Sequence, residues 1–377
     1  MKVVTVLGTR PEIIRLSAVM ARLDQYIEHK IVHTGQNYDF ELNEIFFRDL
    51  KVRKPDYFLN VDTSSVGHVY GGVLEKSEEV FRAEKPDAVL ILGDTNSSLA
   101  SIMARRMKIP IYHMEAGNRC YDLNVPEETN RKIIDHISDF NLVYTEHARR
   151  QLLSEGIAHR RIYLTGSPMR EVLSMHIDAI KASQAVKQLG LEPGKFLLVS
   201  LHREENVDNQ GNLMSLLTAI ERAAETFDLP VIVSTHPRTR KRIENLKEWK
   251  TSDRIRFMKP FGFLDYVNLQ TNAFCVISDS GTICEESSLL DFPAITCRNA
   301  IERPEAMDAG TIVVTGLDPQ NILDGIRLQT SPEARRCRMP APADYQIENT
   351  SWRVVKLIMG TAKLVHLWDG VRACDLG

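Results

Sequence analysis

Short apolar runs recur along this chain almost from end to end, each closing on a glycine or polar loop that opens an amphipathic stretch. No other feature restricts the fold so strongly. Residues 2–7 form a continuous run rich in β-branched side chains. Pro11 then suits the first turn of a helix whose apolar positions, Ile13, Leu16, Met20 and Leu23, fall close to a 3.6-residue period. The same alternation predicts strands at 29–34, 88–92, 109–114, 142–145 and 162–164. After Gly166-Ser167-Pro168 a second series begins, at 196–201, 230–234, 255–258, 274–278, 294–297 and 311–314. Helical patterns at 213–227, 284–290 and 319–328 lie among them. Strands that alternate with helices in this way build parallel sheets covered on both faces. The expectation is therefore an α/β chain with two doubly wound halves and a hinge near residues 166–169.

The two halves share a weak internal likeness. Residues 3–7 lead into Gly8-Thr9-Arg10-Pro11-Glu12, as 196–201 lead into His202-Arg203-Glu204. Residues 88–93 lead into Asp94-Thr95-Asn96, as 274–278 lead into Asp279-Ser280-Gly281. Ligands of open parallel sheets bind at the carboxyl ends of strands, so these four loops are the candidate binding loops. Two sheets facing each other would bring all four to one interdomain cleft. A Pro- and Ala-rich stretch at 338–345 has the character of a linker, and Asn349–Ser351 offer caps for a final helix with apolar positions Val354, Ile358, Val365 and Trp368. Residues 1–168 are expected to form the first domain and 169–349 the second, with 350–377 packing back on the first.

Composition narrows the function classes. Among 377 residues, 47 Lys and Arg balance 50 Asp and Glu for a formal net charge of −3. A dedicated nucleic-acid binder would carry a basic excess. No run approaches the roughly 18 apolar residues of a membrane span. Gly8, Arg10, Pro11, Glu12 and Arg15 interrupt the apolar start too early for a signal peptide, so the expected compartment is the cytoplasm. The six cysteines (Cys120, Cys275, Cys284, Cys297, Cys337, Cys374) include no C-x-x-C pair and read as reduced thiols. His113-Met114-Glu115 matches the H-x-E of zinc deaminases, but no P-C-x-x-C follows, and no metal site is expected.

Several segments carry chemistry. Gly8 allows a tight strand-to-helix turn, the helix start offers N–H donors to an anion, and Arg10 adds a permanent cation suited to phosphate. Taken alone, this is equally an ordinary connection with a surface arginine. In Asp279-Ser280-Gly281-Thr282, two hydroxyls flank a residue that lets a ligand approach the backbone, and Glu286 follows within the next helix. A carboxylate there suits ribose hydroxyls while the helix start holds a diphosphate; alone, an N-cap with a dipole-matched glutamate is the simpler reading. Asp94, Glu115 and Glu127 stand at expected strand ends or at a helix start, where a single acid is usually a cap or an ion-pair partner. Three together near anion binders favour acid/base chemistry. The helix begun by Pro126-Glu127-Glu128 is expected to turn Ile133, Ile134 and Ile137 inward. His202 could meet a phosphate or a leaving group, or simply bond to backbone.

Together these motifs resemble one family. Gly8-Thr9-Arg10-Pro11-Glu12, Gly93-Asp94-Thr95, His113-Met114-Glu115-Ala116-Gly117, Pro126-Glu127-Glu128-Thr129-Asn130-Arg131, Asp279-Ser280-Gly281, Glu285-Glu286 and Glu302-Arg303-Pro304-Glu305-Ala306 stand in order. From residue 1 to about 315 the chain resembles the non-hydrolysing UDP-N-acetylglucosamine 2-epimerases. The resemblance implies a glycosyltransferase-B-like fold of two Rossmann-like domains, a UDP-sugar substrate, no redox cofactor or metal, and a homodimer. It places UDP binding on Arg10, Ser280, Gly281, Thr282, Glu286 and Arg303, with Arg15 where a lysine is common. It places catalysis on Asp94, Glu115 and Glu127, with His202 as the cleft histidine.

The chain also departs from the family. The family's Asp-Ser-Gly-Gly ends here in Thr282. Its Gln-His-Arg-Glu segment, tied to an effector UDP-sugar, is Gln36-Asn37-Tyr38-Asp39. Phe261 replaces a uracil-contacting glutamine, and Tyr266 a phenylalanine. Ala116-Gly117-Asn118-Arg119-Cys120-Tyr121-Asp122 replaces the usual Ala-Gly-Leu-Arg. With Lys259-Pro260-Phe261-Gly262-Phe263, that segment resembles the branch that makes UDP-N-acetyl-L-fucosamine from UDP-2-acetamido-2,6-dideoxy-L-talose for surface polysaccharide.

The implied reaction sets a physical problem. The C2 hydrogen of such a sugar has no neighbouring carbonyl and is not acidic until the C1–O bond to UDP breaks, a step of oxocarbenium character. Fixed cations and N–H groups must hold the departing diphosphate while a carboxylate takes the proton. Distinct groups must serve the two faces of C2. Asp94 and Glu127 are expected to move protons, and Glu115 to tune them or to contact a hydroxyl. Rival readings are a UDP-sugar glycosyltransferase, a silent sugar-nucleotide sensor and a hydrolysing epimerase. The last usually carries a kinase half that is absent from this sequence.

Overall fold

The computed structural model describes residues 1–35, 40–246, 252–337 and 339–371. The departing segment Gln36-Asn37-Tyr38-Asp39 and Cys374 lie outside them.

Among the described residues, thirteen strands fold into two wholly parallel sheets. The first comprises β1 (Lys2–Leu7), β2 (Glu28–His33), β3 (Tyr57–Phe58), β4 (Ala88–Leu92), β5 (Ile111–Met114), β6 (Phe140–Val143) and β7 (Ile162–Leu164). Its order is β3-β2-β1-β4-β5-β6-β7. The second comprises β8 (Leu197–Leu201), β9 (Val231–Thr235), β10 (Ile255–Met258), β11 (Cys275–Ser278), β12 (Ala294–Thr296) and β13 (Val313–Val314), in the order β10-β9-β8-β11-β12-β13. Every strand expected from the apolar runs is present. β3 is the addition: two residues at the edge are too few to leave a periodic signal.

Each order reverses at its centre, between β1 and β4 and between β8 and β11. These are the two pairs of segments whose strand-and-loop patterns are alike across the halves. At such a reversal the following connections leave toward opposite faces and a crevice opens at the carboxyl ends. The central strands read as continuous apolar runs because both faces are covered, and all five residues of β4 are buried.

The chain divides into two compact units, residues 1–175 with 343–377, and 176–342. The division falls within the helix Met169–Ala182 rather than in the Gly166-Ser167-Pro168 loop. Each unit has its own core. Val4, Val6, Val89, Ile91 and Ile111 pack with helix residues of the first unit. Leu197, Val199, Val231 and Ile277 pack with Leu216, Ile220 and Ile322 in the second.

Three local expectations need correction. In the helix Glu127–Ile137 the buried residues are Glu128, Asn130, Arg131, Ile134 and Asp135, while Ile133 and Ile137 are only half-buried. Polar groups, not isoleucines, occupy most of the inward face. Trp368, expected on a buried stripe, is 49% exposed. The helix Thr350–Thr361 ends before it, and the separate short helix Val365–Trp368 turns it outward. Residues 343–345, expected in a linker, belong to the 3₁₀ turn Ala343–Gln346, in which Tyr345 is completely buried.

Val354 and Ile358 are fully buried on the helix Thr350–Thr361, which packs against the helix Arg10–Tyr26. Ile358→Ala should therefore cost about 2–5 kcal/mol. A urea titration should show this as a lower midpoint with an unchanged slope.

Candidate active site

The helix Arg10–Tyr26 starts where β1 ends, with Thr9 as its N-cap and Pro11 in the first turn. Glu12 completes a capping box, and its side chain does more than cap. Its Oε2 accepts from Gly8 N (3.0 Å), Thr9 N (2.8 Å) and Thr9 Oγ1 (2.7 Å). Its Oε1 accepts from Thr95 Oγ1 at 3.0 Å. One buried carboxylate thus ties the loop after β1 to the loop after β4 across the sheet reversal. Gly8 is held closely: a Cβ there would lie 2.1 Å from Thr34 Oγ1 and 2.2 Å from Ser97 Oγ. Only glycine lets these two hydroxyls meet, 2.9 Å apart, beneath the loop.

The three expected acids all belong to this unit. Asp94 follows β4, and its Oδ2 accepts from Arg131 Nε at 2.7 Å. Glu115 follows β5 with φ of 63°, a left-handed backbone uncommon outside glycine. Its carboxylate pairs with Arg15 and accepts from Asn118 Nδ2 at 3.4 Å. Glu127 is the first residue of the helix Glu127–Ile137 and is half-buried. Arg131, on the same helix, also donates to Glu128 Oε2 at 2.8 Å. Asn130 Nδ2 donates to the Asp94 carbonyl (2.9 Å) and to Asn96 Oδ1 (3.0 Å). The Pro126–Arg131 motif therefore fastens the helix to the Asp94 loop. Arg10, the first residue of the helix Arg10–Tyr26, is half-buried, with its guanidinium 5.7 Å from the Phe46 ring centroid. Arg15 is 4% exposed and lies over the Tyr144 ring.

The second unit repeats the arrangement. Asp279, wholly buried after β11, accepts from His202 N (3.0 Å), Arg203 N (3.1 Å) and Asn206 Nδ2 (3.0 Å). Its Oδ1 is 3.2 Å from His202 Nδ1, and the His202 side chain is 41% exposed. Ser280 Oγ lies 2.9 Å from Thr282 Oγ1, just before the helix Ile283–Leu290. A Cβ at Gly281 would stand 2.8 Å from Glu302 Oε1, so the turn tolerates little bulk. Glu302 is itself gripped by Arg203 (3.1 Å) and Arg298 (2.5 Å). Glu286 is buried and accepts from Gln270 Nε2 at 2.6 Å. Tyr266, the family's phenylalanine position, bonds to Ser200 and Gln270; burial raises its phenol above the ordinary value and keeps it protonated. Arg303 is 2% exposed and pairs with Glu285 at 3.0 Å.

The structure thus gathers Arg10, Arg15, Asp94, Glu115 and Glu127 on the first unit, and His202, Ser280, Gly281, Thr282, Glu286 and Arg303 on the second. Arg15 and Arg303, two cations expected at the nucleotide, are each buried against a carboxylate of their own unit. Glu12, Arg131, Asp135, Asp279 and Gln270 are the organising residues that sequence reasoning did not single out. The first two and Asp279 lie inside the quoted motifs, where their position was visible but their partners were not. Among the described residues no group of three or more His, Cys, Asp or Glu side chains is placed to hold a metal. Among them, too, no helix is long and apolar enough to cross a membrane.

Two doubly wound parallel sheets, with their polar groups collected at the strand-order reversals, define the glycosyltransferase-B-like class of α/β fold. The family model for UDP-N-acetylglucosamine 2-epimerase matches residues 21–359. A UDP-N-acetylglucosamine 2-epimerase from Methanocaldococcus jannaschii is 36% identical over 337 residues, covering 87% of this chain and 92% of that protein. A UDP-2,3-diacetamido-2,3-dideoxy-D-glucuronate 2-epimerase from Pseudomonas aeruginosa is 34% identical over 333 residues, covering 87% and 92%. Among solved structures, a UDP-N-acetylglucosamine 2-epimerase from Rickettsia bellii is 44% identical with a TM-score of 0.90, covering 98% of this chain and 99% of that one. The M. jannaschii UDP-GlcNAc 2-epimerase in complex with UDP-GlcNAc and UDP is 33% identical with a TM-score of 0.89, covering 96% and 100%. The chain belongs to the UDP-N-acetylglucosamine 2-epimerase family and is an isomerase.

Burial pushes the Glu12 carboxyl up to about 7, although its bonds from Thr9, Gly8 and Thr95 pull the other way. A carboxyl whose folded value lies above its unfolded one binds its proton more tightly when folded. Its contribution to stability is complete below the unfolded value of 4.5 and is lost as pH rises toward 7. Relative to the neutral Glu12→Gln variant, the native chain should lose about 3 kcal/mol over that interval. Urea unfolding of both proteins at several pH values across it tests this; a constant difference would refute it.

Proposed function

We propose that this chain inverts C2 of a UDP-2-acetamido-6-deoxy-L-hexose, taking UDP-2-acetamido-2,6-dideoxy-L-talose to UDP-N-acetyl-L-fucosamine for surface polysaccharide. In this reading a carboxylate removes the C2 proton as the C1–O bond breaks, and the bonding electrons leave with UDP. A glycal with a C1–C2 double bond remains. A second acid protonates C2 on the opposite face, and a UDP oxygen returns to C1. Atoms and charge balance without an oxidant or reductant.

Asp94 and Glu127 are assigned the proton transfers, and Glu115 the tuning of charge beside them. Arg10, His202 and the Ser280–Thr282 loop are assigned the diphosphate, and Glu286 the ribose. The observation that carries the reaction is the set of three acids, Asp94 and Glu115 after adjacent strands and Glu127 at the start of the helix that follows, two of them paired with a guanidinium: Asp94 with Arg131 and Glu115 with Arg15. Ionised acids close to an anionic substrate need such compensation. The finer substrate rests on the departures at 116–122 and 259–263. One of them, Asn118, donates to Glu115, so the branch-like residue touches the proposed machinery. Interconversion of UDP-N-acetylglucosamine and UDP-N-acetylmannosamine is the second reading, favoured by the names of the relatives from M. jannaschii and R. bellii.

NMR of the protein with each UDP-sugar in turn, in deuterated water, separates these readings. The substrate is the sugar whose anomeric signal splits into two epimers, and its product should carry solvent deuterium at C2. Retention of the original hydrogen would exclude elimination and re-addition; activity confined to UDP-N-acetylglucosamine would favour the second reading. Glu127→Gln should slow turnover by about 10²–10⁴ while UDP binding by calorimetry stays close to that of the native chain. An equal loss of both would make Glu127 a binding or structural residue.

A further inference from the structure

Glu127, Arg131 and Asp135 occupy positions four residues apart on one helix, so they share one of its faces. The first is a proposed catalytic acid. The second holds Asp94, the acid after β4, at 2.7 Å. The third, 1% exposed, turns to the loop after β5 that carries the remaining acid, Glu115. We propose that Asp135 is the positioning residue for Glu115, and that the helix Glu127–Ile137 sets all three acids in register. This rests on the reading that Glu115 works in the reaction.

The Asp135 carboxylate grips the chain on both sides of Glu115. Gly117 N donates to its two oxygens at 3.3 and 3.2 Å. Arg119 Nη1 donates to Oδ2 at 2.7 Å. On the other side, His113 Nδ1 lies 2.9 Å from Oδ1. His113 Nε2 meets the Gly93 carbonyl at 2.9 Å, immediately before Asp94. A single carboxylate therefore links residues 113, 117 and 119 and, through His113, the end of β4. The helix side of the contact is fixed by Asn141 Nδ2, which donates to the Asp135 carbonyl at 3.0 Å.

Charge agrees with geometry. Burial pushes the Asp135 carboxyl up, but His113 and Arg119 more than offset this and hold it below the ordinary carboxylate value. The clamp is thus an anion. Glu115 needs one, because a left-handed residue other than glycine costs roughly 1–3 kcal/mol and persists only where its surroundings fix it. Arg119 has a second carboxylate, Glu155, at 2.8 and 2.6 Å. None of the hydrogen bonds described for Glu155 reaches the backbone around Glu115. The two acids therefore share Arg119, and of the two it is Asp135 that also accepts from the backbone beside Glu115, at Gly117 N.

That difference supplies the experiment. Asp135→Asn and Glu155→Gln each remove one anion from Arg119, and both are assayed with the UDP-sugar that the native chain epimerises. Asp135→Asn should lower kcat by about 10²-fold, the scale of an ångström-sized misplacement, with KM little changed. Glu155→Gln should lower Tm and leave kcat near the native value. Equal kcat losses in the two variants, or a native kcat in folded Asp135→Asn, would overturn the proposal. Should Asp135→Asn not fold, His113→Gln replaces it: this variant keeps the Asp135–Arg119 pair but cuts the link to Gly93, and the same split of kcat from KM is expected. A native kcat in that variant counts against the proposal too. Glu115→Gln runs alongside. If it turns over normally, the underlying role of Glu115 fails, whatever Asp135→Asn does.

Discussion

A buried carboxylate spans the strand-order reversal in each unit, and the rest of both sites hangs from it. Where a parallel sheet reverses, neighbouring loops diverge and leave backbone N–H groups facing inward with no ladder partner. In the first unit Glu12 accepts two such N–H groups and reaches Thr95 on the far loop. In the second, Asp279 accepts the N–H groups of His202 and Arg203 from across the reversal. The direction of support is opposite in the two cases. Glu12 reaches out from the first loop of its pair, whereas Asp279 reaches back from the second. The same topological gap has been closed twice with different parts.

Charge is organised by the same economy. The proposed reaction places acids close to an anionic substrate, a combination that self-repulsion opposes. Here four acids of the two crevices are each paired with an arginine: Asp94 with Arg131, Glu115 with Arg15, Glu302 with Arg298 and Glu285 with Arg303. A buried pair of this kind adds little net stability, but removing one member leaves an uncompensated charge that is costly. Substitutions of these acids therefore act on folding, apart from any effect on turnover.

The strands and their grouping into two sheets were legible because buried parallel strands leave unbroken apolar runs with loop residues at both ends. The weak likeness between 3–7 and 196–201, and between 88–93 and 274–278, pointed to four loops, and these follow the strands at the two order reversals. The motifs also marked the loops that carry chemistry. The partners of those residues were not legible. Arg15 and Glu115 are 100 positions apart, and no local pattern links them. The helix Glu127–Ile137 misled for a related reason: its isoleucines imply an apolar inner face, yet Glu128, Asn130, Arg131 and Asp135 are buried because distant loops supply their hydrogen bonds. Periodicity reports burial only where burial is apolar.

That helix has a consequence for how such a chain can diverge. Each residue added to a helix rotates everything beyond it by about 100°. One insertion between Glu127 and Asp135 would swing Asp135 away from its loop, and Arg131 as well if it fell before that position, while leaving the composition almost untouched. The eight-residue interval is therefore closed to changes of length, and sequence drift within it is restricted to exchanges of side chain on the outer face.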